Sequence, residues 1–140
     1  MKRDDTIIVV VAALIESNGK ILVCQRRRQG TFGLMWEFPG GKADPGEALQ
    51  NALARELKEE LGVTAKIGRE AYRIQYRYAE MSQPIELIFY FAEINPQEAR
   101  NIVFEKIEWV DPMMLGKLDF LPADRELIKL LADGKLDFRL

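Results

Sequence analysis

The chain has 140 residues, 48% of them apolar, with 20 basic and 22 acidic side chains and a formal net charge of −2. That length suits one domain over residues 1–140 burying roughly 68–70% of its unfolded surface, and the balanced charge argues against a nucleic-acid polymer as partner. Histidine is absent and cysteine occurs once, at Cys24, which excludes Ser-His-Asp and Cys-His nucleophilic systems, the usual histidine-rich zinc sites and an internal disulfide.

The amino-terminal stretch MKRDDTIIVVVAALIES places charge before an apolar run, but the run is only about nine residues, β-branched and without a cleavage site. A membrane helix needs about 20 apolar residues, so the run reads as a buried strand over Ile7–Ile15, and neither export nor membrane insertion is expected. Asn18-Gly19 supplies a tight hairpin turn into a second strand, Ile21–Gln25. Cys24 lies in this apolar strand and reads as a small buried hydrophobe, in keeping with a reducing cytoplasm. Arg27–Met35 is irregular, and Trp36–Lys42 (WEFPGGK) is a glycine-rich loop in which Gly40 and Gly41 let backbone approach a ligand closely.

A helix follows, with Asp44 expected as N-cap, Pro45 at the first helical position, Glu47 as capping-box partner and Gly62 as the stop. At roughly 100° per residue, Leu49, Ala52, Leu53, Leu57 and Leu61 form an apolar stripe opposite Asn51, Arg55 and Lys58. Beyond the helix, Tyr72, Ile74, Tyr76 and Tyr78 alternate with polar residues, and Ile85–Ala92 returns as a strand after a turn near Gln83-Pro84. A further strand is expected over Glu105–Val110, and helical spacing recurs from Ala123 to Ala132. Strands, helix, strands, helix in that order predict an α/β (α+β) fold, a mixed sheet sandwiched between helices.

Glu56, Glu59 and Glu60 fall within about 100° of arc and overlap the edge of the apolar stripe. Three like charges at the margin of a core repel one another, whereas a solvated glutamate run would sit on the wet face. A hard divalent cation offsets that repulsion, since Mg²⁺ takes carboxylate oxygens, keeps several waters and bridges to substrate phosphates.

The same segment resembles a complete Nudix box: Gly41, Glu47 after five residues, then, after seven more, Arg55-Glu56-Leu57-Lys58-Glu59-Glu60-Leu61-Gly62-Val63. The resemblance implies an α/β/α sandwich over the whole chain and hydrolysis of a nucleoside diphosphate linked to another group, with Mg²⁺ or Mn²⁺ activating a water. It also implies that Glu56, Glu59, Glu60 and the Gly40 carbonyl hold the metal, and that Arg55 orients the glutamates together with Glu47. Taken alone, Arg55 would equally suit a surface salt bridge worth little.

Two features resemble the MutT-like branch. The loop WEFPGGK is similar to that of MutT and of bacterial CTP pyrophosphohydrolases, which makes Glu37, Phe38, Pro39, Gly40 and Lys42 candidate substrate contacts. Of the basic run Arg26–Arg28, the resemblance favours Arg27 as the residue that grips phosphate. Leu121-Pro122-Ala123-Asp124 matches the Pro-Ala-Asp segment of the CTP type, where MutT has Pro-Ala-Asn. An ionised Asp124 only accepts hydrogen bonds and suits a cytosine N4 amine, although an aspartate here is also an ordinary helix N-cap. Where many MutT-like chains carry a later catalytic glutamate, Val103 stands here, and Glu105 two residues on is the candidate substitute.

The expected partner is a small-molecule nucleotide, processed as NTP plus water to NMP plus pyrophosphate. Cytidine or modified pyrimidine nucleotides come first and oxidised guanine nucleotides second. ADP-ribose or a dinucleoside polyphosphate would use the same box, and a nucleotide-binding module without turnover is the reading from another class. The oligomeric state is not written in the sequence.

Overall fold

The apolar run near the amino terminus forms the middle of the sheet. The computed structural model describes residues 6–136; the charged residues 1–5 lie outside them. Strand β1 (Ile8–Ser17) pairs in parallel with β6 (Ile85–Glu93), in register from Ile8 with Ile85 to Ile15 with Ala92. Both faces of β1 are covered, which is why it is continuously apolar rather than alternating. Val11, Ala13 and Ile15 point to one layer and Ala12 and Leu14 to the other.

At its far end β1 turns through Asn18-Gly19, both at positive φ, into β2 (Lys20–Gln25). The two strands share only the pairs Glu16 with Ile21 and Ser17 with Lys20 before diverging. Strand β2 then pairs with β3 (Trp36–Glu37) and β7 (Lys106–Val110), both antiparallel. The first half of β1 takes β4 (Gly40–Lys42) instead. On the other side, β5 (Lys66–Tyr76) lies antiparallel to β6, with Tyr76 opposite Ile85 across the expected turn.

Helix α1 (Leu49–Leu61) covers one face, burying Ala52, Leu53, Leu57 and Leu61 against Val11, Ala13, Ile15, Leu22 and Cys24, with Leu49 packed at the edge. Helix α2 (Arg125–Ala132) covers the other, burying Leu127, Ile128 and Leu131 against Leu14, Phe89 and Phe91. The mixed sheet between two helical layers agrees with the expected architecture.

Several boundaries differ from the sequence reading. Helix α1 starts at Leu49 with Ala48 at the cap and no side-chain cap bond. Asp44 and Glu47 instead close a turn before it, Glu47 N–H donating to the Asp44 carbonyl and Asp44 N–H to Glu47 Oε1, each 3.0 Å. Only half of the expected capping box forms, the Glu47 carboxyl accepting the Asp44 N–H while the Asp44 backbone carbonyl, not its side chain, accepts the Glu47 N–H, and Gly46 at φ 79° takes the chain out of helical geometry between the two. The stop at Gly62 is as expected, its N–H bonding the Lys58 carbonyl. The WEFPGGK loop is drawn into the sheet at both ends, as β3 and β4. Glu105 falls one residue before β7, and a 3₁₀ turn, Pro122–Asp124, takes the first residues expected of α2.

Candidate functional site

The loop between β3 and β4 brings backbone against the buried side of α1. Gly40 sits at φ 155°, and a Cβ there would lie 2.0 Å from the Val11 carbonyl oxygen, so only glycine fits against β1. Its N–H donates to Glu60 Oε1 at 3.1 Å. A Cβ on Gly41 would meet the carboxyl of Glu56 at 2.6 Å. The two glycines therefore form the roof over Glu56 and Glu60. Burial raises Glu60 to about 8, the nearby Glu56 and Glu37 add to the rise, and the Gly40 N–H opposes it.

Arg55 ties this pair to the turn before the helix. Its Nε donates to Glu47 Oε2 at 2.9 Å and its Nη2 to Glu47 Oε1 at 3.0 Å, a bidentate clamp. Nη1 donates to Glu56 Oε1 at 2.9 Å and, more weakly, to Glu59 Oε1 at 3.5 Å, while Nη2 also reaches the Lys42 carbonyl. Hydrogen bonding to Arg55 holds Glu47 down at about 2. The guanidinium thus spans helix, preceding turn and β4, a fuller role than a lone surface ion pair.

Glu59 departs from the sequence reading. Its side chain is 58% exposed, against 15% for Glu56, so it lies on the wet face and not at the core margin. Among the described residues no three acidic or cysteine side chains converge closely enough to hold an ion. The Glu56–Glu60 pair nonetheless suits a hard divalent cation: two carboxylates repel each other beneath a backbone roof, and the pair has oxygen donors and no soft ligand.

Beside this pair opens a cavity of about 500 Å³. Gly40, Gly41, Lys42 and Glu60 line one part of it, Phe38, Tyr78 and Phe89 supply aromatic walls, and Glu37, Arg26 and Asp124 are its buried or half-buried charged groups. Arg26 Nη1 donates to Glu37 Oε1 at 2.9 Å. Burial still raises Glu37 above the usual carboxylate range, with Arg26 pulling the other way. Asp124 is 3% exposed and makes no side-chain cap bond at the start of α2. Burial, and then the Glu37 charge, push its carboxyl well up. Burial thus favours the neutral acid, which donates through O–H as well as accepting, over the acceptor-only carboxylate expected from the sequence.

Of the residues expected to touch substrate, Glu37, Phe38, Gly40, Lys42 and Asp124 line the cavity. Pro39 is buried beside it with its carbonyl bonded to Ala13 N–H. Arg27 does not line the cavity; it is exposed, and its Nε donates to the Val103 carbonyl at 2.8 Å. Successive residues leaving a strand face opposite ways, and Arg26 is the one that turns inward. Glu105 is exposed and outside the cavity lining; residues 102–105 form bends rather than strand, so Val103 and Glu105 do not share a strand face. Its N–H bonds the Gln25 carbonyl. Sequence reasoning missed Tyr78 and Phe32 as cavity walls. Tyr78 carried a signal as the last member of the alternating aromatic run, while Phe32, at φ 55° in an irregular segment, carried none.

Comparison with known proteins agrees with this geometry. The family model described as the NUDIX domain matches residues 5–131. A CTP pyrophosphohydrolase of Escherichia coli is 54% identical over 61 residues, covering 44% of this chain and 45% of that relative's length. An 8-oxo-dGTP diphosphatase of Haemophilus influenzae is 36% identical over 140 residues, covering 96% and 98% of the two chains. The solution structure of the E. coli ORF135 protein superimposes with a TM-score of 0.76 at 33% identity, covering 89% of this chain and 88% of that one. Among the described residues no helix is long and apolar enough to cross a membrane.

Proposed function

We propose that this chain, which belongs to the Nudix hydrolase family, hydrolyses nucleoside triphosphates to the monophosphate and pyrophosphate, with cytidine and modified pyrimidine nucleotides preferred. The observation that carries this reading is the single cavity lined both by the Gly40–Lys42 roof with Glu60 and by the buried Asp124. One end has the chemistry for phosphates, the other for a base.

In this reading Glu56, Glu60 and the Gly40 carbonyl hold Mg²⁺ or Mn²⁺, with Glu59 able to join them by turning in from solvent. Such an ion, when bound, offsets phosphate charge and activates a water. The chain's own residues do the rest. Arg55 fixes the Glu56 carboxyl by a charge-assisted bond. Arg26 and Lys42 supply positive charge to the cavity, and Phe38 walls the base. One Asp124 oxygen accepts from an exocyclic amine in either protonation state; when the acid is neutral, the other donates to the adjacent ring nitrogen, the pair that cytosine N4 and N3 present. The cytidine preference also draws on the similarity to a CTP pyrophosphohydrolase.

The 36% identity over nearly the full length of an 8-oxo-dGTP diphosphatase supports a second reading, a MutT-type activity on oxidised guanine nucleotides. Pyrophosphate release from CTP, dCTP, 5-methyl-dCTP, 8-oxo-dGTP, the ordinary triphosphates and ADP-ribose, with and without Mg²⁺, separates them. Metal-dependent release strongest with cytidine nucleotides supports the first reading, and a preference for 8-oxo-dGTP supports the second. Tight nucleotide binding in Mg²⁺ with no product would make the chain a binding module instead.

A further inference from the structure

Tyr78 lies two residues beyond the end of β5, on the wall of the cavity. Its ring packs on Phe32, with centroids 5.0 Å apart, and on Tyr76, at 4.7 Å, both tilted to it. Its hydroxyl oxygen accepts the Ala123 N–H at 3.2 Å, a buried bond between residues 45 apart in sequence. Ala123 immediately precedes Asp124, and the turn that carries both is closed by Asp124 N–H donating to the Leu121 carbonyl at 2.9 Å.

The turn is also tied by Leu121 N–H donating to the Trp36 carbonyl at 3.0 Å and by Arg125 N–H donating to the Pro122 carbonyl. The Asp124 side chain makes no bond to the helix it begins, so the direction of its carboxyl is set by the backbone beneath it. Of these ties, the Tyr78 hydroxyl is the one that reaches from elsewhere in the chain to the residue directly before Asp124. The aromatic neighbours, in turn, limit where the Tyr78 hydroxyl can go, because the side chain is buried against them.

We propose that Tyr78 is a specificity-setting positioning residue, whose hydroxyl anchors the Ala123–Asp124 turn so that Asp124 meets the base edge in one fixed orientation. The proposal rests on the reading of Asp124 as the base-recognising group. Removing the hydroxyl leaves the Ala123 N–H without its acceptor and lets the turn shift, while the phosphate end of the cavity, built on other elements, keeps its geometry.

The test is Tyr78→Phe, alone and combined with Asp124→Asn, assayed on CTP and UTP, which differ in an amine against a carbonyl at the edge Asp124 faces. Tyr78→Phe is expected to lower the CTP-to-UTP ratio of kcat/KM by about 3- to 10-fold, the worth of one modest hydrogen bond. The change should appear in KM, with kcat close to wild type. In the Asp124→Asn background the same change should move the ratio by less than about twofold, because the two residues act through one group. A purely structural role would lower the melting temperature and depress turnover of both substrates alike, leaving the ratio unmoved, and would overturn the proposal. So would an undiminished effect in the Asp124→Asn background, since Tyr78 would then contact the base directly. An Asp124→Asn variant that keeps the wild-type ratio sinks the base-reading role itself, a failure visible without Tyr78. Should Tyr78→Phe melt too low to assay, titration of CMP and UMP in the cold reads the same ratio as affinities.

Discussion

Replacing Gly41 with alanine separates the position of one carboxyl from the stability of the fold. A Cβ at Gly41 lies 2.6 Å from the Glu56 carboxyl, and ordinary contact begins at 3.4 Å. The neighbour is the end of a flexible side chain, so Glu56 yields, and a displacement of about 0.8 Å suffices, which is the scale at which misplacement of a reacting group costs about 100-fold in rate. That is about 2.7 kcal/mol of lost transition-state stabilisation. The displaced carboxyl also leaves its 2.9 Å contact with Arg55 Nη1. Stability should hardly change, because Gly41 is not at a positive φ and no backbone is struck; a shift of a few degrees in Tm is expected. Gly40→Ala is the contrast, since its Cβ collides with Val11 backbone and disrupts the pairing of β4 with β1. The assay is kcat/KM on the best triphosphate of the panel, paired with thermal melting. A Gly41→Ala protein with wild-type kcat/KM would refute the reasoning, because it would show that the Glu56 position beneath the roof does not matter to the chemistry.

Three further outcomes follow from the same geometry. Glu56→Gln and Glu60→Gln should each abolish turnover with the fold intact, and the melting temperature, which Mn²⁺ should raise in the wild-type protein, should stop responding in Glu60→Gln; a fully active double variant would remove both residues from the site. Arg26→Ala should raise KM for triphosphates and cost about 1–3 kcal/mol of stability by leaving the half-buried Glu37 without its partner, whereas Arg27→Ala should change neither; equal effects from the two would contradict their placement. Asp124→Asn should be more stable than wild type at neutral pH. The native carboxyl keeps its proton well above the unfolded value of about 3.9, so wild-type stability is fullest below that value and is lost as pH rises toward the folded one. The advantage of the variant in urea midpoint should therefore vanish near pH 4, and an Asp124→Asn protein less stable than wild type at neutral pH would mean that the ionised form is favoured in the fold.

Much of the fold was legible because the relevant signals are local or periodic. The β1 run, the Asn18-Gly19 turn, the stripe from Leu49 to Leu61 and the Gly62 stop each specify their structure within a few residues. What escaped depends on contacts distant in sequence. The Asp44–Glu47 pair looks like a helix start and makes one of its side-chain bonds, yet it closes a turn, with Gly46 at positive φ inside it and Arg55 clamping Glu47 from two turns into the helix. Local propensity and tertiary contact point to different starts, and the contact wins.

The site divides along the same line. Glu56 and Glu60 could be placed on one helix face from spacing alone, since residues four apart are neighbours on any helix. Glu59 could not, because its place on the wheel lies at the boundary between buried and wet, and only the path of β4 decides which side of that boundary is covered. The choice between Arg26 and Arg27 turns on which of the residues just past β2 faces the cavity, a phase carried on from the pairing with β3, where Gln25 opposes Trp36 and Cys24 opposes Glu37. The charge state of Asp124 was the least accessible of all. It depends on how completely Phe38, Tyr78 and the start of α2 exclude water and on the presence of Glu37, 87 positions earlier in the sequence, across the same cavity. A carboxyl whose sequence neighbours describe an ordinary helix cap is thereby buried with no cap bond made, and the base-reading role proposed for it rests on that burial together with the Pro-Ala-Asp motif.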